Sequence, residues 1–281
     1  MSIGIAGGKW FSPSSDKMAS TPLILGHRGA SALAPENTIA AFSRAMQDGA
    51  DGIEFDVRLS RDQIPMVIHD NTLNRTGLID AGVSEMTAAE LQEIDVGSWF
   101  ADKRAQIPRH SYKGQQLPSL SRVLEFFHRV NGVLYIEMKC DANEGATLAA
   151  EVVHLTREHE MVDRVVVESF DLAAIAEIKR IDAAVKTAAL FEARISRAIS
   201  TSRRHRMIEQ ALQHGADEIA LHHTLAGNGV VEKARSEGLE VVVWTVDTAD
   251  WVARARSFGV KALISNDPGE MVQHRMKAAS R

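Results

Sequence analysis

Cysteine is almost missing from this chain. Cys140 is the only one in 281 residues, which excludes an intrachain disulfide and a cysteine-rich zinc centre. Basic charge is not in surplus either. Lys plus Arg total 32 against 37 Asp plus Glu, a formal net charge of −5, which argues against a nucleic-acid scaffold. No run approaches the roughly 20 apolar residues of a membrane span, so stable membrane insertion is not expected. Residues 1–20 have no basic start and no continuous apolar stretch, so they do not read as a secretory signal. Their Gly, Ser and Pro content reads as a flexible leader, and a cytoplasmic protein is expected. The glycines of that leader are not a phosphate loop, because no strand precedes them and no Lys-Ser/Thr follows. No Gly-x-Ser-x-Gly elbow exists, which removes the usual signature of a serine hydrolase.

What is present is a rhythm. From residue 23 onward, short apolar or β-branched runs alternate with amphipathic stretches of helical period. Strands are expected at 23–29, 52–60, 64–69, 134–139, 165–170, 186–191, 218–222, 240–246 and 261–265. Helices are expected at 36–48, 120–130, 145–159, 172–181, 203–214, 230–237, 249–258 and 268–278. Gly49, Gly132, Gly215, Gly238 and Gly259 each stand just after a helix, where helices stop. Only Arg61–Gln63 joins the second and third strands, too short for a parallel crossover, so these two form an antiparallel hairpin. Setting the return strand aside leaves repeated strand–helix units over a length of about 250 residues, the signature of an α/β fold of the (β/α)8 TIM barrel type. A doubly wound open sheet is the alternative. Residues 21–281 are expected to be one barrel domain with an insertion at 71–118, after the hairpin. That insertion has weak periodicity apart from a short helix at 88–94, and its length suits a lid or substrate wall.

In such a barrel the chemistry gathers where strands end. Glu54 and Asp56 are two apart in Gly-Ile-Glu-Phe-Asp-Val, so both face one side of a strand. Two carboxylates aimed into a barrel repel unless a cation or proton lies between them. Glu137, near another strand end, adds a third. Three carboxylates without cysteine suit a hard cation, Mg²⁺, Mn²⁺ or Ca²⁺. His27 and His69 end nearby strands and form a candidate acid–base pair near neutral pH. Arg28 offers a planar fork to phosphate oxygens, and Lys139 adds a second positive charge. Cations beside a carboxylate cluster point to a phosphorylated substrate. Trp244 either walls a pocket or packs in the core. His222 and His223 also end a strand, where a pocket role is the alternative to a structural one.

Together these motifs resemble a known family. His27-Arg28-Gly29-Ala30, Pro35-Glu36-Asn37-Thr38, Gly52-Ile53-Glu54-Phe55-Asp56-Val57, His69-Asp70 and Leu73-Asn74-Arg75-Thr76 are similar to the glycerophosphodiester phosphodiesterases, above all their small bacterial cytosolic members. Ile136-Glu137-Met138-Lys139, Ser169-Phe170, Trp244-Thr245-Val246 and Ile264-Ser265-Asn266-Asp267-Pro268 follow in the same order. The resemblance spans about residue 23 to 270. It implies a (β/α)8 barrel, Glu54, Asp56 and Glu137 as ligands of a divalent cation, and His27 and His69 as the acid–base pair. It also implies Arg28 and Lys139 as phosphate contacts, Asn37 as a polar residue beside the metal, and Trp244 as a wall for the glycerol moiety. Asp247 stands where some members carry Asn, and Ser265 where many carry Thr. The activity implied is metal-dependent hydrolysis of a glycerophosphodiester to sn-glycerol 3-phosphate and an alcohol. The nucleophile would be water or the glycerol 2-hydroxyl. The expected partner is that small molecule; a homodimer is compatible with the sequence. The alternative is a lysophospholipase D-type enzyme, which needs an apolar groove for an acyl chain, for which Trp99 and Phe100 are the candidates.

Overall fold

A computed structural model describes residues 21–100, 111–140, 143–192 and 201–279. The expected leader, residues 1–20, lies outside them. The strands are β1 (Leu23–His27), β2 (Gly52–Leu59), β3 (Pro65–Val67), β4 (Val133–Met138), β5 (Val165–Ser169), β6 (Lys186–Phe191), β7 (Glu218–His222), β8 (Glu240–Trp244) and β9 (Ala262–Ser265). All but β3 run parallel in a ring, closed by β1 pairing with β9 on one side and β2 on the other. This is the expected (β/α)8 barrel. Strand β3 turns back antiparallel on β2, with Val57 opposite Val67.

The helices are α1 (Ile39–Gln47), α2 (Ala88–Gln92), α3 (Leu120–His128), α4 (Gly145–Glu158), α5 (Leu172–Ile181), α6 (Thr201–Gln213), α7 (Asn228–Ser236), α8 (Asp250–Phe258) and α9 (Pro268–Ala279). Their apolar faces cover the outside of the ring. Phe42, Phe55, Leu124, Phe127 and Ile136 pack one half of that layer, and Ile175, Ile208, Ile219, Val241 and Trp251 the other. The interior is plugged by alternate residues of the strands: Leu25, Tyr135, Val166, Ala188, Ala220, Val242 and Ala262. An apolar plug low in the barrel leaves the strand C-termini to carry polar groups. Gly52 is required at the bottom of β2, because a Cβ there would lie 2.1 Å from the Val133 carbonyl oxygen.

Two expectations need correction. Helix α1 begins at Ile39, not at residue 36. Asn37 takes a left-handed backbone with φ of 58°, and Thr38 caps the helix by accepting from the Ala41 amide at 3.2 Å. Glu36 and Asn37 are therefore loop residues, free to face the barrel mouth. Strand β3 is also shorter than 64–69. Its ladder with β2 ends at Val67, whose amide donates on the other side to the Pro118 carbonyl at 2.8 Å. His69 is thus carried on a loop just past the strand.

The described part of the 71–118 insertion is packed. Leu73, Val83, Leu91, Val96 and Leu117 form a separate apolar cluster with Met66 and Ile68. Its short helix, α2, is held by a capping box, with Thr87 and Glu90 each accepting from the other's amide. Tyr112 donates to the Leu33 carbonyl at 3.0 Å, tying the insertion to the loop after β1. Trp99 and Phe100 stack edge to face at 5.7 Å, and Phe100 does the same with Tyr112.

Candidate active site

The carboxylates come together as the alternation predicts. Glu54 and Asp56 point inward from β2 and Glu137 from the end of β4, where it lies in register with Asp56. All three are buried, and each offers an oxygen within 4.8 Å of the others. Lys139 places its Nζ 2.6 Å from Glu137 Oε1 and 3.4 Å from Asp56 Oδ1. Arg28 takes a left-handed backbone, with φ of 55°, as the chain leaves β1. That turn aims its amide at Glu54 Oε2, 3.1 Å away, and its Nε at Asp56 Oδ2, 3.2 Å away. Gly29 completes the turn at φ of 82°, where a Cβ would lie 2.6 Å from the Ala41 backbone. Asn37 donates from Nδ2 to Asp56 Oδ2 at 2.8 Å.

The electrostatics divide the three carboxyls. Burial alone would raise Asp56, but Arg28 and Lys139, then His69 and the Asn37 hydrogen bond, hold it well below the usual range. Burial, followed by the Asp56 and Glu137 carboxylates, pushes Glu54 up strongly. Burial and Asp56 push Glu137 up to about 7 against the pull of Lys139. The protein alone thus keeps Asp56 charged and favours protons on the other two. A divalent cation is the natural replacement for those protons. Asp56 Oδ1, buried without a hydrogen-bond partner among the described residues, is a further sign that the set fits a hard cation.

Both histidines line the same cleft as this cluster. His27 Nδ1 lies 2.7 Å from Asn266 Oδ1. The Asn266 amide cannot be reversed, because its Nδ2 donates to Asp247 Oδ2 at 2.7 Å. His27 Nδ1 therefore carries the proton, and Nε2 holds the lone pair, 3.9 Å from Glu54 Oε2. Burial, then Arg28, lowers the His27 pKa. His69 Nδ1 donates to Asp70 Oδ1 at 2.7 Å. Burial lowers the His69 pKa, opposed by Asp56 and Asp70. Asp70 is itself brought down to about 2, against burial, by hydrogen bonds from Arg75 and His69.

One residue braces both sides. Arg75 donates to Asp70 Oδ2 at 2.7 Å and forks onto Glu36 at 2.7 and 2.8 Å. Glu36 in turn accepts from Arg28 at 2.8 Å. The insertion thus holds His69 through Asp70 and Arg28 through Glu36. Arg75→Gln is expected to lower kcat/KM by about 10²-fold while the fold survives, since it loosens two groups that must be placed closely. Steady-state kinetics beside a melting curve checks this; unchanged kinetics would show that neither group needs the brace.

A cleft of about 290 Å³ opens above these residues, lined by His27, Arg28, Glu54, His69, Glu137 and Lys139. Its other side is Glu168, Phe170, Leu190, Glu192, Trp244, Thr245 and Ile264. Trp244 is thus a pocket wall, and Phe170 meets it edge to face at 5.6 Å. His222 packs behind Trp244 at 5.2 Å and does not line the cleft. Neither Trp99 nor Phe100 is among the described residues that line it. Glu36, Arg75, Asn266 and Glu168 are parts of the site to which the sequence assigns no role, although the first three stand in the family motifs and Glu168 ends a strand. Glu168 carried the same signal as Glu137, a carboxylate ending a run of apolar strand residues.

Residues 27–270 match the glycerophosphoryl diester phosphodiesterase family. A glycerophosphodiester phosphodiesterase of Caldanaerobacter subterraneus subsp. tengcongensis is 29% identical over 250 residues, covering 89% of this chain and 96% of that protein. The crystal structure of a glycerophosphodiester phosphodiesterase from Agrobacterium tumefaciens superposes with a TM-score of 0.70 at 30% identity, covering 90% of this chain and 99% of the other. An Oleispira antarctica phosphodiesterase in complex with the product sn-glycerol-3-phosphate superposes with a TM-score of 0.78 at 25% identity, covering 90% and 96%. No helix among the described residues is long and apolar enough to cross a membrane. With the family's motifs meeting at one barrel mouth, the chain belongs to the glycerophosphoryl diester phosphodiesterase family and is a phosphoric diester hydrolase.

Proposed function

We propose that this enzyme cleaves glycerophosphodiesters to sn-glycerol 3-phosphate and an alcohol by metal-assisted general acid–base catalysis. The observation that carries the reading is the placement of two histidines, Arg28 and Lys139 around three buried carboxylates at one cleft. Glu54, Asp56 and Glu137 would hold Mg²⁺, Mn²⁺ or Ca²⁺, with Asn37 orienting Asp56. Such an ion supplies positive charge to the phosphoryl oxygens as they become more negative. Arg28 and Lys139 bind the same oxygens and hold the phosphorus between the histidines. His27, with its lone pair fixed on Nε2, takes the proton of the nucleophile. His69, whose ring is backed by the Asp70 carboxylate, gives its proton to the leaving alkoxide. Trp244 walls the glycerol limb. A cytoplasmic setting and a role in glycerol and lipid metabolism belong to the same proposal.

The acylated-lipid alternative is disfavoured by the position of Trp99 and Phe100, which pack within the insertion. The test is release of glycerol 3-phosphate from glycerophosphocholine, glycerophosphoethanolamine and glycerophosphoglycerol, with each metal and with excess chelator. Release that stops in chelator supports the proposal. Cleavage of lysophosphatidylcholine with no cleavage of the deacylated diesters would overturn it.

A further inference from the structure

We infer that Glu168 is a specificity residue which, with Trp244, binds the terminal hydroxyl of the substrate's glycerol limb. The inference rests on the glycerophosphodiester reading above. Glu168 lies on the same face of β5 as Val166, which is part of the interior plug. It therefore projects into the barrel one layer higher, at the floor of the cleft, and is only 1% exposed. It lies in register beside Glu137 yet outside the group of three carboxylates that converge on one point. No cation among the described residues ion-pairs with it. Lys139 is taken by Asp56 and Glu137, and Lys261 by Glu218.

Two polar atoms on this side of the cleft are covered and have no hydrogen-bond partner among the described residues. They are Glu168 Oε2 and Trp244 Nε1. Their neighbours along the cleft include Phe170, Leu190 and Ile264, which offer no polar side-chain atom, together with Thr245 and the exposed Glu192, and neither of these two hydrogen-bonds to them. Orphaned buried polar groups are costly and uncommon, and two in one small cleft point to a ligand that completes them. An indole N–H only donates. A carboxyl accepts when ionised and also donates when protonated. A hydroxyl both donates and accepts, so one hydroxyl can serve both groups. Arg28 and Lys139 fix the phosphoryl group across the cleft, so the hydroxyl that reaches the Glu168 and Trp244 side is the one farthest from phosphorus. The apolar neighbours suit the three-carbon chain between them.

The test compares glycerophosphocholine with the analogue lacking only its sn-1 hydroxyl, in wild type, Glu168→Ala, Glu168→Gln and Trp244→Phe. Wild type is expected to favour the natural diester at least about tenfold in kcat/KM, because the analogue leaves the site's polar groups unpaired. Glu168→Ala should lower kcat/KM for the natural diester about 30-fold and for the analogue less than about threefold, erasing the preference. Glu168→Gln, which keeps a hydrogen-bonding group, should retain part of it. Trp244→Phe keeps an aromatic wall one ring smaller and loses the N–H, so it should narrow the preference for the natural diester. Equal losses on both diesters in Glu168→Ala would overturn the inference. So would a rise in the metal concentration needed for half-maximal activity, which would mark Glu168 as a metal ligand. Failure of wild type to cleave either diester would instead count against the proposed function.

Discussion

Glu137→Gln is expected to lower turnover on the order of 10²–10³-fold, the cost of removing one group that organises charge around the reacting phosphoryl. The same substitution should stabilise the metal-free protein at high pH. Glu137 has a pKa raised from its ordinary 4.5 to about 7 by burial and by Asp56. A group raised in the folded state favours folding most below its unfolded pKa, and that contribution is lost as pH rises through the folded value. The metal-free wild type should therefore lose about 3 kcal/mol between pH 4.5 and pH 8 from this group, at roughly 1.4 kcal/mol per pKa unit. Glu54, raised in the same direction, adds to the loss. Glutamine has no proton to lose, so the variant's melting temperature in chelator should be flatter with pH. Thermal melts from pH 5 to 8, in chelator and in Mn²⁺, test both parts. A variant with wild-type turnover, or one whose metal-free melting temperature varies with pH just as the wild type's does, would contradict this reading of the cluster.

The second large effect separates the two histidines. His27→Ala and His69→Ala should each lower kcat by about 10²–10⁴-fold on glycerophosphocholine. Their losses should part company when the leaving group changes. Choline alkoxide needs a proton, and p-nitrophenolate does not. On the p-nitrophenyl ester of glycerol phosphate, His69→Ala should recover most of its activity, while His27→Ala should remain impaired because its nucleophile still lacks a base. The reverse pattern would exchange the roles. The first outcome is expected because Asn266 Oδ1 leaves His27 Nε2 with the lone pair, and the Asp70 carboxylate opposes the burial that lowers the His69 pKa.

The barrel and the centre of the site were legible because their signals are local and periodic. Glu54 and Asp56 face the same way because a strand alternates, and apolar neighbours on the opposite face make the pair conspicuous. Glu137 and Lys139 repeat that pattern on β4. The surrounding braces were not legible, because loops build them. Glu36 reads as the first turn of a helix, where acidic residues are common. Only the left-handed Asn37 and the Thr38 cap release it to meet Arg28 and Arg75. Asn266 and Asp247 lie 239 and 220 residues from His27 in the chain, and closure of β1 against β9 brings them to it. Glu168 was visible as a strand-end carboxylate. Its orphaned oxygen and its separation from the other three are facts of packing that spacing does not report.

We propose that Glu54, Asp56 and Glu137 hold one divalent cation on which catalysis depends. Titration of Mn²⁺ into chelator-stripped protein at pH 7, followed by calorimetry in two buffers of different ionisation enthalpy, addresses it directly. One site per chain is expected, with protons released on binding because the metal displaces those held by Glu54 and Glu137. Asp56→Asn should abolish the site. No binding heat in either buffer, together with undiminished diester cleavage in excess chelator, would contradict the proposal.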